Sequence, residues 1–344
     1  MKPFEEVSHR AQVMRLREVA KVALSHYDLK VQAFHTLLHL ENTTFRVEGD
    51  RDRQFTLRIN RPSHRTEAQV RSEVAWLSSI RRDTELAVPE PVPNAGGDMV
   101  TRAAAPGVPE ERICVLFKWV EGSFYRERLS PVALERVGRF TARLHEHAIG
   151  FNPPPDFSRH NVEFGDGDEP GEIARLMVKG FEEGAAIIRP HDLATFTMAR
   201  HHIQEKVDAT GHGRGVFGLI HADLHHGNYL FHNTEVRAID FDDCGWGHFL
   251  YDLAVTQWYL QARPRYEAMC QAHLAGYQSI RRLSEEQLAL LPTFRAARTL
   301  LMGVYMAGRA DNPKLHAQAP QFVAHCASAL RDYLASERGA TGGA

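Results

Sequence analysis

Apolar residues recur along this chain with two different periods, and the change from one to the other organises it. Between residues 9 and 25 (HRAQVMRLREVAKVALS), Val13, Leu16, Val19, Ala20 and Ala23 share one face of a 3.6-residue repeat, which predicts an amphipathic helix. Alternation then takes over. Residues 29–40 are apolar and tolerate extended backbone, 43–47 alternate, Gly49-Asp50 turns the chain, and 55–59 alternate again, predicting strands. Residues 65–82 return to helical spacing, with Val70, Val74, Leu77 and Ile80 as the buried stripe. Prolines hold Val88-Pro89-Glu90-Pro91-Val92-Pro93 extended, and strands resume at 99–101 and 112–117.

Beyond residue 118 the helical period dominates. Ser130 before Pro131 supplies an N-cap and a first-turn proline, and Leu134, Val137, Phe140 and Leu144 follow on one face. A Pro-, Gly- and Asp-rich loop from Asn152 to Gly171 is long enough to serve as a lid on the acceptor side. Helices are expected near 171–183, 192–208, 248–262 and 265–281. Another starts at Ser284, where Ser284 and Gln287 have capping-box spacing, and a last one covers 322–334 before a frayed GATGGA tail. The expected division is into residues 1–118, a sheet with a helix, and residues 119–344, mainly helical.

One stretch carries chemistry. An apolar run at 216–220 reads as a buried strand and breaks into the polar loop His221-Ala222-Asp223-Leu224-His225-His226-Gly227-Asn228. Short strands at 229–231 and 236–239 flank a turn, so Asp223 and Asn228 lie in a loop and Asp240 at a strand end; the hairpin could bring all three together. A phosphoryl acceptor hydroxyl needs a carboxylate to orient it and take its proton. Nucleotide phosphates need a metal held by oxygen ligands, typically a carboxylate and an amide. Asp223 suits the first role, Asn228 and Asp240 the second. His221, Asp223, His225 and His226 also admit a zinc hydrolase, although H-x-D-x-H-H permutes the H-x-H-x-D-H order of metallo-β-lactamases.

HADLHHGN followed by IDFDD resembles the H-G-D-L-H-P-G-N loop and metal strand of the aminoglycoside phosphotransferase and choline kinase-like families, which include homoserine kinase-like members. The resemblance implies an α+β, bilobal protein-kinase-like fold that uses ATP and Mg2+ to phosphorylate a hydroxyl. It makes Asp223 the acceptor-side base and Asn228 and Asp240 the metal ligands. It places His225 where protein kinases carry a phosphate-contacting Lys. Arg58 stands where the strand cation is Lys, with Glu73 as its brace. No G-x-G-x-x-G occurs, so the covering loop is His39-Leu40-Glu41-Asn42-Thr43-Thr44, with Asn42 beside phosphate. Lys118, Trp119 and Val120 take the adenine edge through their backbone. Asp242 and Asp243 are open to metal or acceptor contacts, and Asp252 buttresses the loop. An amino alcohol or homoserine is the first acceptor, an aminoglycoside the second and a protein Ser/Thr the third, the last disfavoured because no A-P-E signature follows IDFDD. The missing glycines and Arg58 keep open a nucleotide-binding protein without turnover.

Composition narrows the partners. The 344 residues are 43% hydrophobic and 24% charged, in the range of a soluble globular protein with a substantial core. A net charge of −2 supplies no basic field for nucleic acid or anionic membrane, and no apolar run is long enough to span a bilayer. The opening MKPFEEVSHR lacks a secretory pattern, and four cysteines without CxxC suggest neither disulfides nor a thiolate zinc site. The expectation is a cytoplasmic enzyme with a small-molecule hydroxyl acceptor.

Overall fold

The computed structural model describes residues 2–62, 64–162, 187–308 and 317–341. Helix α1 (His9–Leu24) starts at Ser8, whose side chain accepts the Ala11 N–H. It lays Leu16, Val19, Ala20, Ala23 and Leu24 against a five-stranded antiparallel sheet. The strands are β1 (Val31–His39), β2 (Thr43–Gly49), β3 (Gln54–Ile59), β4 (Thr101–Ala103) and β5 (Arg112–Lys118), in the order β1-β2-β3-β5-β4. Period-2 geometry sorts the side chains of β3. Phe55, Leu57 and Ile59 join the α1 core, so Arg58 points to the other face. Helix α2 (Glu67–Asp83), closed by a Thr66–Gln69 capping box, buries Val70, Val74, Leu77 and Ile80 together with Glu73. The strand expected at 99–101 forms two residues later, because Asn94 and Asp98 side chains first close a turn on the backbone N–H groups of Gly96, Asp98 and Val100.

The remaining elements are α3 (Pro131–Gly150), α4 (Pro190–Asp208), β6 (Phe217–Ile220), β7 (Tyr229–His232), β8 (Glu235–Ala238), β9 (Gly245–His248), α5 (Phe249–Trp258), α6 (Tyr266–Gln278), α7 (Glu285–Ala289), α8 (Leu291–Ala307) and α9 (Ala319–Thr341). Helices α3 and α6 cross so closely that a Cβ on Gly138 would lie 2.0 Å from the His273 carbonyl oxygen, and one on Gly276 1.9 Å from that of Glu135. The capping box at Ser284 forms, but its helix ends at Ala289 and a new one restarts around Pro292. The last helix is longer at both ends than the 322–334 expected. The helix expected near 171–183, and the loop beyond residue 162, lie outside the described residues.

The chain divides into two units interleaved in sequence. Met1–Ser123, Phe151–Arg159 and Leu230–Asp242 make the first; Phe124–Gly150, His160–Tyr229 and Asp243–Ala344 make the second. Against the expected single cut after residue 118, segments 151–159 and 230–242 return to the first unit, the latter bringing most of the β7–β8 hairpin. No helix among the described residues is long and apolar enough to cross a membrane.

Candidate active site

In the second unit, the loop after β6 is held by its backbone. Asp252 on α5, fully buried, accepts the N–H groups of His221 (2.9 Å) and Ala222 (2.7 Å). His145 of α3 lies between Asp252 and Tyr277, with each ring nitrogen 3.0 Å from an oxygen partner. The Thr256 hydroxyl donates to the Leu224 carbonyl at 2.6 Å. Burial pushes the Asp252 carboxyl up, but the hydrogen bond to His145, then the contact with His221, hold it below the usual carboxylate range. Ala222 pays for the tight turn with a φ of 67°, at the position where the resembling loops have Gly.

Asp223 hangs from this scaffold with each oxygen partnered. Arg298 of α8 donates through Nη2 to Oδ1. Asn228 donates through Nδ2 to Oδ2 at 2.9 Å and also to the Asp223 carbonyl at 2.9 Å. Both amide protons of Asn228 are therefore committed, and its Oδ1 is the atom left for a cation. The His225 ring stacks on Tyr259, with centroids 4.2 Å apart. Its Nδ1 accepts the Gly227 N–H at 2.9 Å, which puts the ring proton on Nε2, 3.4 Å from Asp223 Oδ2. A Cβ at Gly227 would come within 2.6 Å of that ring. Burial raises the Asp223 pKa, yet the charge of Arg298, followed by His225 and His221, outweighs it and brings the carboxyl to about 2. Asp223 is thus ionised at neutral pH, able to orient a hydroxyl and accept its proton. The zinc reading is weakened here, because Nδ1 of two of its four ligands, His221 and His225, accepts a backbone N–H.

The first unit assembles the cation expected on β3. Arg58 and Glu73 form a two-pronged pair, Nη1 to Oε1 at 2.8 Å and Nη2 to Oε2 at 2.6 Å, both side chains buried. Burial alone would lower the Arg58 pKa; Glu73, then Asp242 and Asp240, drive it well above its ordinary value. Asp242 lies 3.9 Å from Arg58, Oδ1 to Nη1. Its Oδ2 accepts from Asn42 Nδ2 (2.9 Å) and lies 3.5 Å from His64 Nε2, and its carbonyl accepts from Arg65 and Arg159. Burial opposes ionisation of Asp242, but the His64 hydrogen bond and the charges of Arg58, His64 and Arg65 keep the carboxyl far below the usual range. Asp240, two residues earlier, is exposed on a backbone with φ of 64°. The oxygens that each unit offers, Asn228 Oδ1 in the second and the Asp240 carboxylate in the first, are hard ligands of the kind magnesium takes.

Two expectations change in detail. The Asn42 side chain, assigned to phosphate, is committed on both sides, since its Oδ1 also accepts the Arg61 N–H at 3.0 Å. Of the three residues assigned to the adenine edge, Lys118 donates its N–H to the Glu90 carbonyl and Trp119 to that of Gln54. Strand pairing thus removes these two donors and leaves carbonyl oxygens, or Val120, for such a contact. The Lys118 ammonium pairs with Glu90 at 2.5 Å, and Trp119 carries Arg46 over its ring. Sequence reasoning missed Arg298 and Tyr259. A signal existed for the first: Arg298 falls on the buried stripe of α8 with Leu291 and Phe294, and a charge on such a stripe requires a partner.

Known proteins share this fold. The solved structure of a microcompartment-associated aminopropanol kinase superposes with a TM-score of 0.80 at 29% identity, covering 93% of this chain and 98% of that one. An amicoumacin kinase in complex with AMP-PNP, Ca2+ and Ami superposes with a TM-score of 0.77 at 20% identity, covering 93% and 96%. A homoserine kinase of Neisseria meningitidis is 40% identical over 84 residues, 23% of this chain and 28% of that protein. The fold is the protein-kinase-like α+β fold. The model of the phosphotransferase enzyme family matches residues 37–285, and the chain belongs to that family of small-molecule kinases.

Proposed function

We propose that the chain transfers the γ-phosphoryl group of ATP to the hydroxyl of a small amino alcohol. Asp223 orients the acceptor hydroxyl and takes its proton. Asn228 Oδ1 and the Asp240 carboxylate hold magnesium, and Arg58, braced by Glu73, holds phosphate. The bound magnesium nucleotide supplies the phosphoryl group and neutralises charge as it develops. The observation that carries this reading is the state of Asp223, which is ionised, fixed through both oxygens and still 21% exposed. General-base assistance and orientation are the contributions that such a group makes.

The charges around the loop support an acceptor of low positive charge over an aminoglycoside. Burial lowers the His226 pKa first, and the neighbouring His225, Arg263 and Arg126 lower it further. Asp223 itself is already matched by Arg298. A polycationic acceptor would meet repulsion there, whereas a single ammonium would meet little. The similarity to an aminopropanol kinase supports the same class. The test is magnesium-dependent ATP consumption, with 31P NMR of products, across 1-amino-2-propanol, homoserine, choline, an aminoglycoside and a Ser peptide. A phosphate ester of an amino alcohol, formed at least about tenfold more efficiently than the aminoglycoside ester, is expected. ATP binding without turnover of any acceptor would overturn the reading in favour of a nucleotide-binding protein.

A further inference from the structure

The roles above leave the buried charge of Arg298 unexplained. Arg298 is 5% exposed on a face of α8 that it shares with the buried Leu291 and Phe294. A guanidinium in such a place is costly unless its donors are matched, so its partners show what it is for. Nη2 donates to Asp223 Oδ1 and to the Tyr259 hydroxyl at 3.0 Å, while the guanidinium carbon lies 5.3 Å from the Tyr259 ring centroid. Tyr259 is also the ring on which His225 stacks. Asp223 is therefore gripped from opposite sides, by Arg298 at Oδ1 and by Asn228 at Oδ2. Rotation of the carboxylate would break both contacts.

We propose that Arg298 is the positioning residue for Asp223, engaging Oδ1 so that the carboxylate is held in one orientation toward the acceptor hydroxyl. This rests on Asp223 being the acceptor-side base. In the transfer, the acceptor oxygen forms the new bond to the γ-phosphorus. The bond from that phosphorus to the β,γ-bridging oxygen breaks, its electron pair leaving with ADP, and the acceptor proton passes to the Asp223 carboxylate. Arg298 exchanges nothing; it keeps the carboxylate in one rotamer, where small misplacement is expensive in rate. Tyr259 carries the same restraint one step outward, by fixing the guanidinium.

The experiment is a double-mutant cycle on the full chain, read as kcat, acceptor KM and ATP KM. Arg298→Met is expected to lower kcat by about 30-fold with ATP KM unchanged within about twofold, and Arg298→Lys to recover most of the loss. In an Asp223→Asn background the same Met substitution should cost less than about threefold, because the group that it positions is gone. A general structural defect would instead multiply through both backgrounds. If the Met variant does not fold, Tyr259→Phe removes only the hydroxyl contact; it should lower kcat by about two- to fivefold, and only while Asp223 is present. Wild-type kcat in Arg298→Met, or equal losses in both backgrounds, overturns the proposal while leaving Asp223 as base. Wild-type kcat in Asp223→Asn overturns the base assignment and the proposal with it.

Discussion

Two buried Arg–carboxylate pairs, one in each unit, look alike by composition and differ in how they close. Arg58 and Glu73 meet fork to fork, both carboxylate oxygens are taken, and the Glu73 side chain is only 1% exposed. Arg298 reaches a single oxygen of Asp223, and the other is shared with Asn228 on a side chain that keeps a fifth of its surface open. The closed pair fixes a cation on a strand. The open pair restrains a carboxylate and leaves it able to do chemistry. Geometry about the carboxylate, rather than the presence of an ion pair, separates a brace from a reactive group.

The largest expected effect comes from breaking the closed pair. Arg58→Ala or Glu73→Ala leaves a buried charge uncompensated and should cost about 3–5 kcal/mol in unfolding free energy, measured by denaturant titration. Removing both should cost less than the sum of the two singles. Arg58→Lys, which keeps charge but loses the fork, should retain partial activity well above Arg58→Ala. An Arg58→Ala protein with unchanged stability and unchanged ATP KM would make Arg58 an ordinary strand residue.

The units also differ in acid sensitivity, because the second buries neutral imidazoles. Burial lowers the pKa of His145, of His248 to about 4 and of His273 to about 3. A folded pKa below the unfolded value of about 6.5 gives stability that is present above pH 6.5 and lost as pH falls toward the folded value. For His273 the loss should reach roughly 2 kcal/mol by pH 5. Neither of its ring nitrogens has a hydrogen-bond partner among the described residues, so His273→Leu should flatten the thermal stability profile between pH 7 and 5. A variant that keeps the wild-type slope would assign the acid loss to other groups.

The smallest effect concerns the turn under the open pair. Ala222→Gly relieves the left-handed backbone at φ 67° but loosens the unfolded chain. A net gain of about 0.5 kcal/mol, seen as a raised Tm with kcat unchanged, is expected. A lowered Tm would mean that the Ala222 methyl packs for more than the strain costs.

Much of this was legible in the residues. Period alone located α1, β2, β3 and α2, and the parity of β3 put Arg58 on the face away from the core. The loop order put Asp223 and Asn228 in the loop after β6 and Asp240 just after β8. What escaped depends on distant pairing. Strand β9 is Gly-Trp-Gly-His, with no alternation to read, and it exists by pairing with β6. Arg298 stands 75 residues from Asp223 in sequence, and only packing of α8 brings them together. The commitment of Asn42 to Asp242, 200 residues apart, is invisible for the same reason.

The most direct test of the account is the pair of constants measured for Asp223→Asn: magnesium–ATP affinity by calorimetry and single-turnover ester formation by rapid quench. The account predicts ATP affinity within about twofold of wild type and ester formation slowed by about 10²–10⁴-fold, the weight of an acceptor-side base. Ester formation at the wild-type rate would contradict it and remove Asp223 from the mechanism.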